Sequence, residues 1–478
     1  MAVRPLFLFG VGLGLSGARP ADFVVDMPPS NEAWRFAFAS CHDFPTPRFT
    51  HRHPGNGGNI LSDAPFDWDV IRARGPGAMI WVGDTIYGDF PKDYSWVPKP
   101  LSYFLPELPI WSAPFVASSG RKLTAMYDGL KADAGFKTLL SSLGPGPRHF
   151  GTWDDHDFGL NDGDRTMRYK DESKDAFLRF YDAPASDPRR QRDGIYSSTI
   201  FRGPNTAVLV IALDMRFSKD PYGVGSDGDF LGAEQWAWLE ETLEGSRDAN
   251  ATVFLSSLQL LPLHREKVSE CWNIFPAARA RFLQLLQGTR RPLVVSGDVH
   301  FAELLQATCG EEALVELTTS GLTHSWGDGM GMMRQESRWL ASAVMTAFQL
   351  LMPWTFQTRS SLWHRDFYLG RNFGELEFDW ASHAVSARVL DGRSGAVTLE
   401  RSWPLVDLVQ GRRSKEHPEP CRAHRGDPSA LRVALGMGGV VLFALSLLLL
   451  KPALWAAALY GVVVLRRRAG MSIKAKGE

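Results

Sequence analysis

Between residue 34 and about residue 405, short apolar runs alternate with segments of helical periodicity or loop composition. The runs cover residues 35–40, 78–82, 149–153, 207–213, 252–256, 292–296 and 314–318. Most are apolar on both faces, as strands are in sheets covered from both sides. Helical spacing is clearest over 234–243 and 277–286. In the first of these, Gln235, Trp236, Trp238, Leu239 and Leu243 recur behind Gly232 at the interval that lines one helix face. The alternation predicts an α/β fold. After the last run the texture changes. Residues 338–352 predict a charge-poor helix packed on the core, with an interfacial membrane contact as the other reading. Residues 373–380, 384–390 and 396–403 predict a β-meander, with a turn at Asp391-Gly392-Arg393-Ser394-Gly395.

The two ends carry a different pattern. Residues 1–18 combine Arg4, an apolar stretch and the small residues Ser16 and Ala18, the layout of a secretory signal peptide. Residues 431–465 are apolar apart from Arg432 and Lys451. A single span needs ~20 apolar residues, and residues 433–450 nearly supply them. Arg466, Arg467, Arg468, Lys474 and Lys476 place the 466–478 tail in the cytosol by the positive-inside bias. The expectation is a single-pass type I membrane protein: a luminal or extracellular domain over 31–405, a juxtamembrane linker over 406–430, and a transmembrane segment over 431–465. Lys451-Pro452 leaves a kinked or hairpin arrangement as the alternative.

Charge adds little. The 52 basic and 53 acidic residues nearly cancel, which gives no basic surface for nucleic acid. The 16 Trp and 29 Phe are enough to fill a substantial core. Function has to be read from sites.

Polar residues fall in a consistent place, directly after the apolar runs. Cys41-His42-Asp43 follows the first and Gly83-Asp84-Thr85-Ile86-Tyr87 the second. Asp154-Asp155-His156-Asp157 follows the third and Asp214-Met215-Arg216 the fourth. Gly297-Asp298-Val299-His300 and Thr319-Ser320-Gly321-Leu322-Thr323-His324 follow the last two. Ligands of open α/β sheets bind beyond the carboxyl ends of the strands. One Asp after a strand is usually a cap or a turn residue. Six strand ends bearing acids, imidazoles, a thiol and a phenol would converge on one rim, and so many buried acids need cations to neutralise them. Tyr and Cys beside carboxylates suit iron or a similar transition ion.

The chain resembles the alkaline phosphatase D (PhoD-like) metallophosphatases over roughly residues 34–403. The resemblance rests on Ala39-Ser40-Cys41, Val82-Gly83-Asp84-Thr85-Ile86-Tyr87-Gly88-Asp89, Thr152-Trp153-Asp154-Asp155-His156-Asp157, Leu213-Asp214-Met215-Arg216, Ser296-Gly297-Asp298-Val299-His300, Thr319-Ser320-Gly321-Leu322-Thr323-His324 and Asn372-Phe373-Gly374, in that order. It implies mixed sheets flanked by helices, with metals at the strand ends. It further implies that Cys41, Tyr87 and His300 bind a ferric ion and that Asp84 bridges two ions. Asp155 and Asp298 would then hold the second ion, calcium or another divalent cation, with Asn161 as a further ligand. His156 aligns with a histidine that contacts phosphate in the wider metallophosphatase group.

The expected activity is hydrolysis of phosphate esters by metal-bound hydroxide, with a small molecule or a lipid head group as substrate. His156, Arg216 and His324 are the catalytic candidates, although a structural Asp214–Arg216 pair competes for Arg216. Residues 88–119, rich in Trp, Pro, Phe and Tyr, form an insertion beside the site. With Cys41 taken as a ligand, Cys271–Cys309 is the expected disulfide and Cys421 is left over. A purple-acid-phosphatase-like enzyme and a catalytically silent membrane module of the same fold are the rival readings.

Overall fold

A computed structural model describes residues 19–27, 33–43, 66–89, 116–262, 269–325 and 366–411, with scattered positions from 347 to 446. Its strands, in chain order, are β1 (Phe23–Asp26), β2 (Trp34–Ala39), β3 (Ala78–Val82), β4 (His149–Thr152), β5 (Ser197–Arg202), β6 (Ala207–Ala212) and β7 (Ala251–Leu255). They continue as β8 (Pro292–Ser296), β9 (Ala302–Cys309), β10 (Glu312–Thr318), β11 (Phe367–Tyr368), β12 (Asn372–Asp379), β13 (Ala384–Asp391) and β14 (Val397–Pro404). The helices are α1 (Asp69–Arg72), α2 (Gly120–Ala132), α3 (Ala134–Ser142), α4 (Asp155–Phe158), α5 (Lys170–Phe180), α6 (Gly232–Gly245) and α7 (Pro276–Gln287).

The strands form two mixed sheets, one of order β14-β13-β12-β2-β3-β4 and one of order β1-β5-β6-β7-β8-β10-β9-β11. In the first, β2, β3 and β4 run parallel and the β12–β14 meander is antiparallel. In the second, β6, β7, β8 and β10 run parallel.

The period-2 alternation of side chains builds three apolar layers. On β3, Ala78, Ile80 and Val82 share a core with Phe36, Phe38, Val208, Val210, Val253 and Val295, which is the layer between the sheets. Met79 and Trp81 point the other way, onto α2, α3 and α5. On β6, Leu209 and Ile211 do the same for the other sheet, towards α6 and α7. β3 and β6 are therefore apolar on both faces, and the parallel strands of both sheets deliver their carboxyl ends to one edge.

All seven expected runs are strands, both expected helices form, and the meander is present. Four strands were not expected: β1, β5, β9 and β11. The disulfide expectation is corrected. Cys309 is disulfide-bonded, but Cys271 keeps its thiol, so the pair is not Cys271–Cys309. Among the described residues no helix is long and apolar enough to cross a membrane. The signal-peptide segment lies outside the described residues, as do most of residues 88–119, 338–352 and 431–465.

Candidate metal centre

The residues at the strand ends sit in strained backbone. Cys41 after β2 has φ 57°, Asp84 after β3 has φ 48°, and Asp298 and His300 after β8 have φ 69° and 56°. Non-glycine residues avoid this left-handed region, and four such turns on one rim mark a site that the surrounding structure holds in place. Two glycines permit the crowding. A Cβ on Gly83 would lie 2.6 Å from the Cβ of Asp154, and one on Gly297 would lie 2.5 Å from Ser40 Oγ and 2.6 Å from the Val82 carbonyl oxygen. The first contact packs the loops after β3 and β4 of one sheet together, and the second brings the loop after β8 of the other sheet against the ends of β2 and β3.

The Asp154-Asp155-His156-Asp157 run divides its labour. Asp157 accepts from the amides of Thr85 and Ile86, each at 3.1 Å, and from the Tyr127 hydroxyl at 2.9 Å, which ties the loop after β3 to the loop after β4. Asp154 accepts from Ser257 Oγ at 2.9 Å and pairs with Arg216. Asp155 offers an oxygen to three candidate cation positions, one with Asp84 and His156, one with Asp154 and Asp298, and one with Asp162 and Glu270; within each group the ligand atoms lie within 4.8 Å of one another. His156 places Nδ1 2.7 Å from Asp89 Oδ1, while Asp89 Oδ2 accepts the Asn161 amide at 2.7 Å.

Cys41 and Tyr87 approach from the other side. Cys41 Sγ lies 3.7 Å from Asp84 Oδ2, and the Tyr87 hydroxyl donates to that same oxygen at 3.3 Å. Ser40 Oγ and Ser320 Oγ each lie 3.0 Å from the Cys41 sulfur. The Ser320 hydroxyl also accepts the His300 amide at 2.6 Å, which joins the first-sheet and second-sheet halves of the site. The His324 ring lies 4.7 Å from that of His300 and 4.9 Å from that of Tyr87, centroid to centroid.

The electrostatics are those of a site that calls for a cation. Burial, then Asp155 and Asp154, push Asp84 well above the usual carboxylate range. Burial with Asp154 and Asp155 does the same to Asp298, and burial with Glu270 and Asp155 raises Asp162 to about 8. Burial holds the His300 imidazole neutral, down to about 3. His156 goes the other way. Burial opposes its charge, but Asp89 and Asp155 outweigh burial and raise it to about 10. Asp84 Oδ1, Asp154 Oδ2 and His300 Nδ1 are buried without a hydrogen-bond partner. Buried polar atoms are nearly always satisfied, so orphaned acceptors converging with raised carboxylates fit divalent or trivalent cations.

Most of the expected ligand residues meet here: Cys41, Asp84, Tyr87, Asp155, Asp298 and His300 all face this rim. Asn161 is attached to it through its amide on Asp89. Its neighbour Asp162 brings a carboxyl within 4.8 Å of Asp155 and Glu270 ligand atoms. Arg216 lies apart from the open side. It is fully buried, with Nη1 2.7 Å from Glu270 Oε2 and its other nitrogens on Asp154. The expected partner Asp214 instead accepts the Arg216 and Phe217 amides at 2.9 Å, the Ile195 amide and the Trp153 indole. Sequence reasoning missed Asp89, Asp162, Glu270 and Ser320 as members of the site. Asp89 stood in the quoted Gly83–Asp89 motif and was open to detection; Glu270 does not directly follow any of the apolar runs.

Residues 36–359 match the PhoD-like phosphatase family. The chain belongs to that family. It is accordingly a phosphate-ester hydrolase of α/β metallophosphatase-like fold, with the buried Asp and His groups of a metal-dependent enzyme. A solved structure of PhoD is 14% identical, with a TM-score of 0.49, over 88% of this chain and 78% of that one. The purple acid phosphatase PPD1 from seeds of yellow lupin (Lupinus luteus) is 10% identical, with a TM-score of 0.42, over 79% of this chain and 54% of that one. No curated protein matches the chain.

Proposed function

We propose that this chain hydrolyses phosphate esters by in-line displacement at a two-metal centre. The observation that carries the reading is the convergence of the buried Asp84 and Asp155 with the half-buried Asp298, and the partnerless atoms Asp84 Oδ1 and His300 Nδ1. Cys41, Tyr87 and His300 would hold the first ion, for which the soft and anionic donors suit Fe(3+). Asp84 would lie between the ions. Asp155 and Asp298, with Asn161, would hold Ca(2+) or another divalent cation through oxygen. Two such cations, ~3.5–4 Å apart, would clamp the attacking and leaving oxygens and lower the pKa of water towards neutrality.

The chain's own groups do the rest. Asp89 fixes the His156 ring through Nδ1, and the ring so held would donate to a non-bridging phosphoryl oxygen or protonate the leaving alkoxide. Asp157 keeps the two ligand loops in register. Arg216 holds Asp154 and Glu270 in place from below rather than contacting phosphate.

The apolar run over 431–465 supports a membrane-anchored, type I protein with its catalytic domain luminal or extracellular, which brings lipid head groups into the substrate class beside soluble esters. Stripping metal with a chelator and adding back iron with calcium, while following bis-p-nitrophenyl phosphate turnover, tests the two-metal reading. Return of turnover only with both ions is expected; a folded protein that stays inactive through every add-back overturns it. Turnover of soluble esters with none in lipid vesicles removes the lipid class.

A further inference from the structure

His324 was expected to be a catalytic group, but its surroundings assign it elsewhere. The side chain is buried, and both ring nitrogens are engaged: Nε2 lies 2.8 Å from the Tyr87 hydroxyl oxygen and Nδ1 lies 3.2 Å from Thr323 Oγ1. The hydrogens can be followed. Thr323 Oγ1 accepts the Asp43 amide at 2.9 Å, which leaves its single proton to donate to His324 Nδ1 or, at 3.4 Å, to the Cys41 carbonyl.

Tyr87 can bind a cation only after its hydroxyl proton leaves, and its oxygen is then an acceptor alone. The 2.8 Å contact survives that change only if Nε2 carries the hydrogen. The Thr323 hydroxyl supports that tautomer by donating to Nδ1. Such outer partners fix the orientation and basicity of metal ligands.

On the two-metal reading above, we infer that His324 is a positioning residue that donates an N–H to the phenolate oxygen of Tyr87, with Thr323 holding its tautomer, and does not touch substrate. The role is new in kind. It makes the histidine a regulator of how strongly Tyr87 donates charge to its ion. A hydrogen bond to a phenolate withdraws electron density from the oxygen, so removing the donor moves the phenolate-to-iron charge-transfer band to longer wavelength.

The test uses the full-length protein reconstituted with ferric iron, with visible absorption, iron stoichiometry and circular dichroism recorded for wild type, His324→Leu and His324→Gln. The expected result is a band in wild type, the same band at longer wavelength in His324→Leu with equal iron and unchanged circular dichroism, and a return towards the wild-type position in His324→Gln, which restores an N–H. Loss of iron in the Leu variant that the Gln variant reverses also supports the assignment. An unshifted band in His324→Leu at equal iron overturns it, as does iron loss shared by both variants. Absence of any band in iron-loaded wild type removes Tyr87 as a ligand and this inference with it, while turnover in the add-back experiment judges the phosphoesterase reading separately.

Discussion

Replacing Arg216 by Met keeps most of the side-chain length but removes the one guanidinium that faces both Asp154 and Glu270 in the interior. Arg216 and Asp154 are fully buried and Glu270 nearly so, so water does not replace the lost cation. Breaking a buried pair from one side costs ~3–5 kcal/mol, because the partner charge is left uncompensated. Glu270 keeps Lys219 Nζ at 2.7 Å and Asp154 keeps Ser257 Oγ at 2.9 Å. These partners put the expectation at the low end of that range, about 3 kcal/mol. Urea unfolding of chelator-treated wild type and Arg216→Met measures the loss without added cations to mask it. The double variant Arg216→Met/Asp154→Asn should recover about 1 kcal/mol or more of the deficit, since Asp154 is the carboxylate left beside only the Ser257 hydroxyl. An arginine reserved for the substrate phosphate would behave in the opposite way. Stability would change by less than about 0.5 kcal/mol, and KM alone would rise. That pair of results refutes the buried-network reasoning.

Three further outcomes follow from single contacts. Asp89→Asn loosens the His156 ring and should lower kcat about 10–100-fold with metal content unchanged, the size typical of removing an outer-shell partner; equal kcat would remove Asp89 from the mechanism. Gly297→Ala drives a Cβ against Ser40 Oγ and the Val82 carbonyl, and the backbone cannot give way as a flexible side chain would. The expected cost in denaturant is ~1–3 kcal/mol, and unchanged stability would contradict the close approach of the two sheets. His149 accepts the Trp81 indole N–H on Nε2 at 3.1 Å, and burial, then Lys131, lowers its pKa from 6.5 to about 3. The folded state therefore binds fewer protons there than the unfolded chain, and stability is lost as pH falls below 6.5 towards 3. Between pH 7 and 5 wild type should lose about 1–2 kcal/mol more than His149→Gln; parallel pH profiles would refute this.

The sequence carried the site further than the sheets. Cys41, Asp84, Asp155, Asp298 and His300 were legible because each stands directly after an apolar run, and a strand end fixes where the next side chains go. What they contact across the site was not legible. Ser320 reaches both Cys41 and the His300 amide, and Asp89 reaches both His156 and Asn161, only because loops from different strands are folded together.

The missed strands share a cause. β5 (Ser197–Arg202) begins with three hydroxyl residues, and β9 (Ala302–Cys309) carries Glu303, which is buried although charged. Both obtain their strand state from pairing with β6 and β10, and neither has the apolar texture that made the other runs visible. Cysteine pairing failed for a similar reason. Spacing does not determine which thiols meet, and Cys271 lies buried before a short helical turn, where it keeps its thiol.

The central claim is that Asp84 and Cys41 serve a metal centre rather than a structural core, and metal content tests it most directly. Elemental analysis of purified wild type, Cys41→Ala and Asp84→Asn, with turnover of bis-p-nitrophenyl phosphate measured on the same samples, should find iron and a second metal in wild type. Both variants should lose metal and turnover together while remaining folded. A folded wild-type protein that holds no metal after exposure to iron and calcium, or variants that keep full metal and full turnover, would contradict the account.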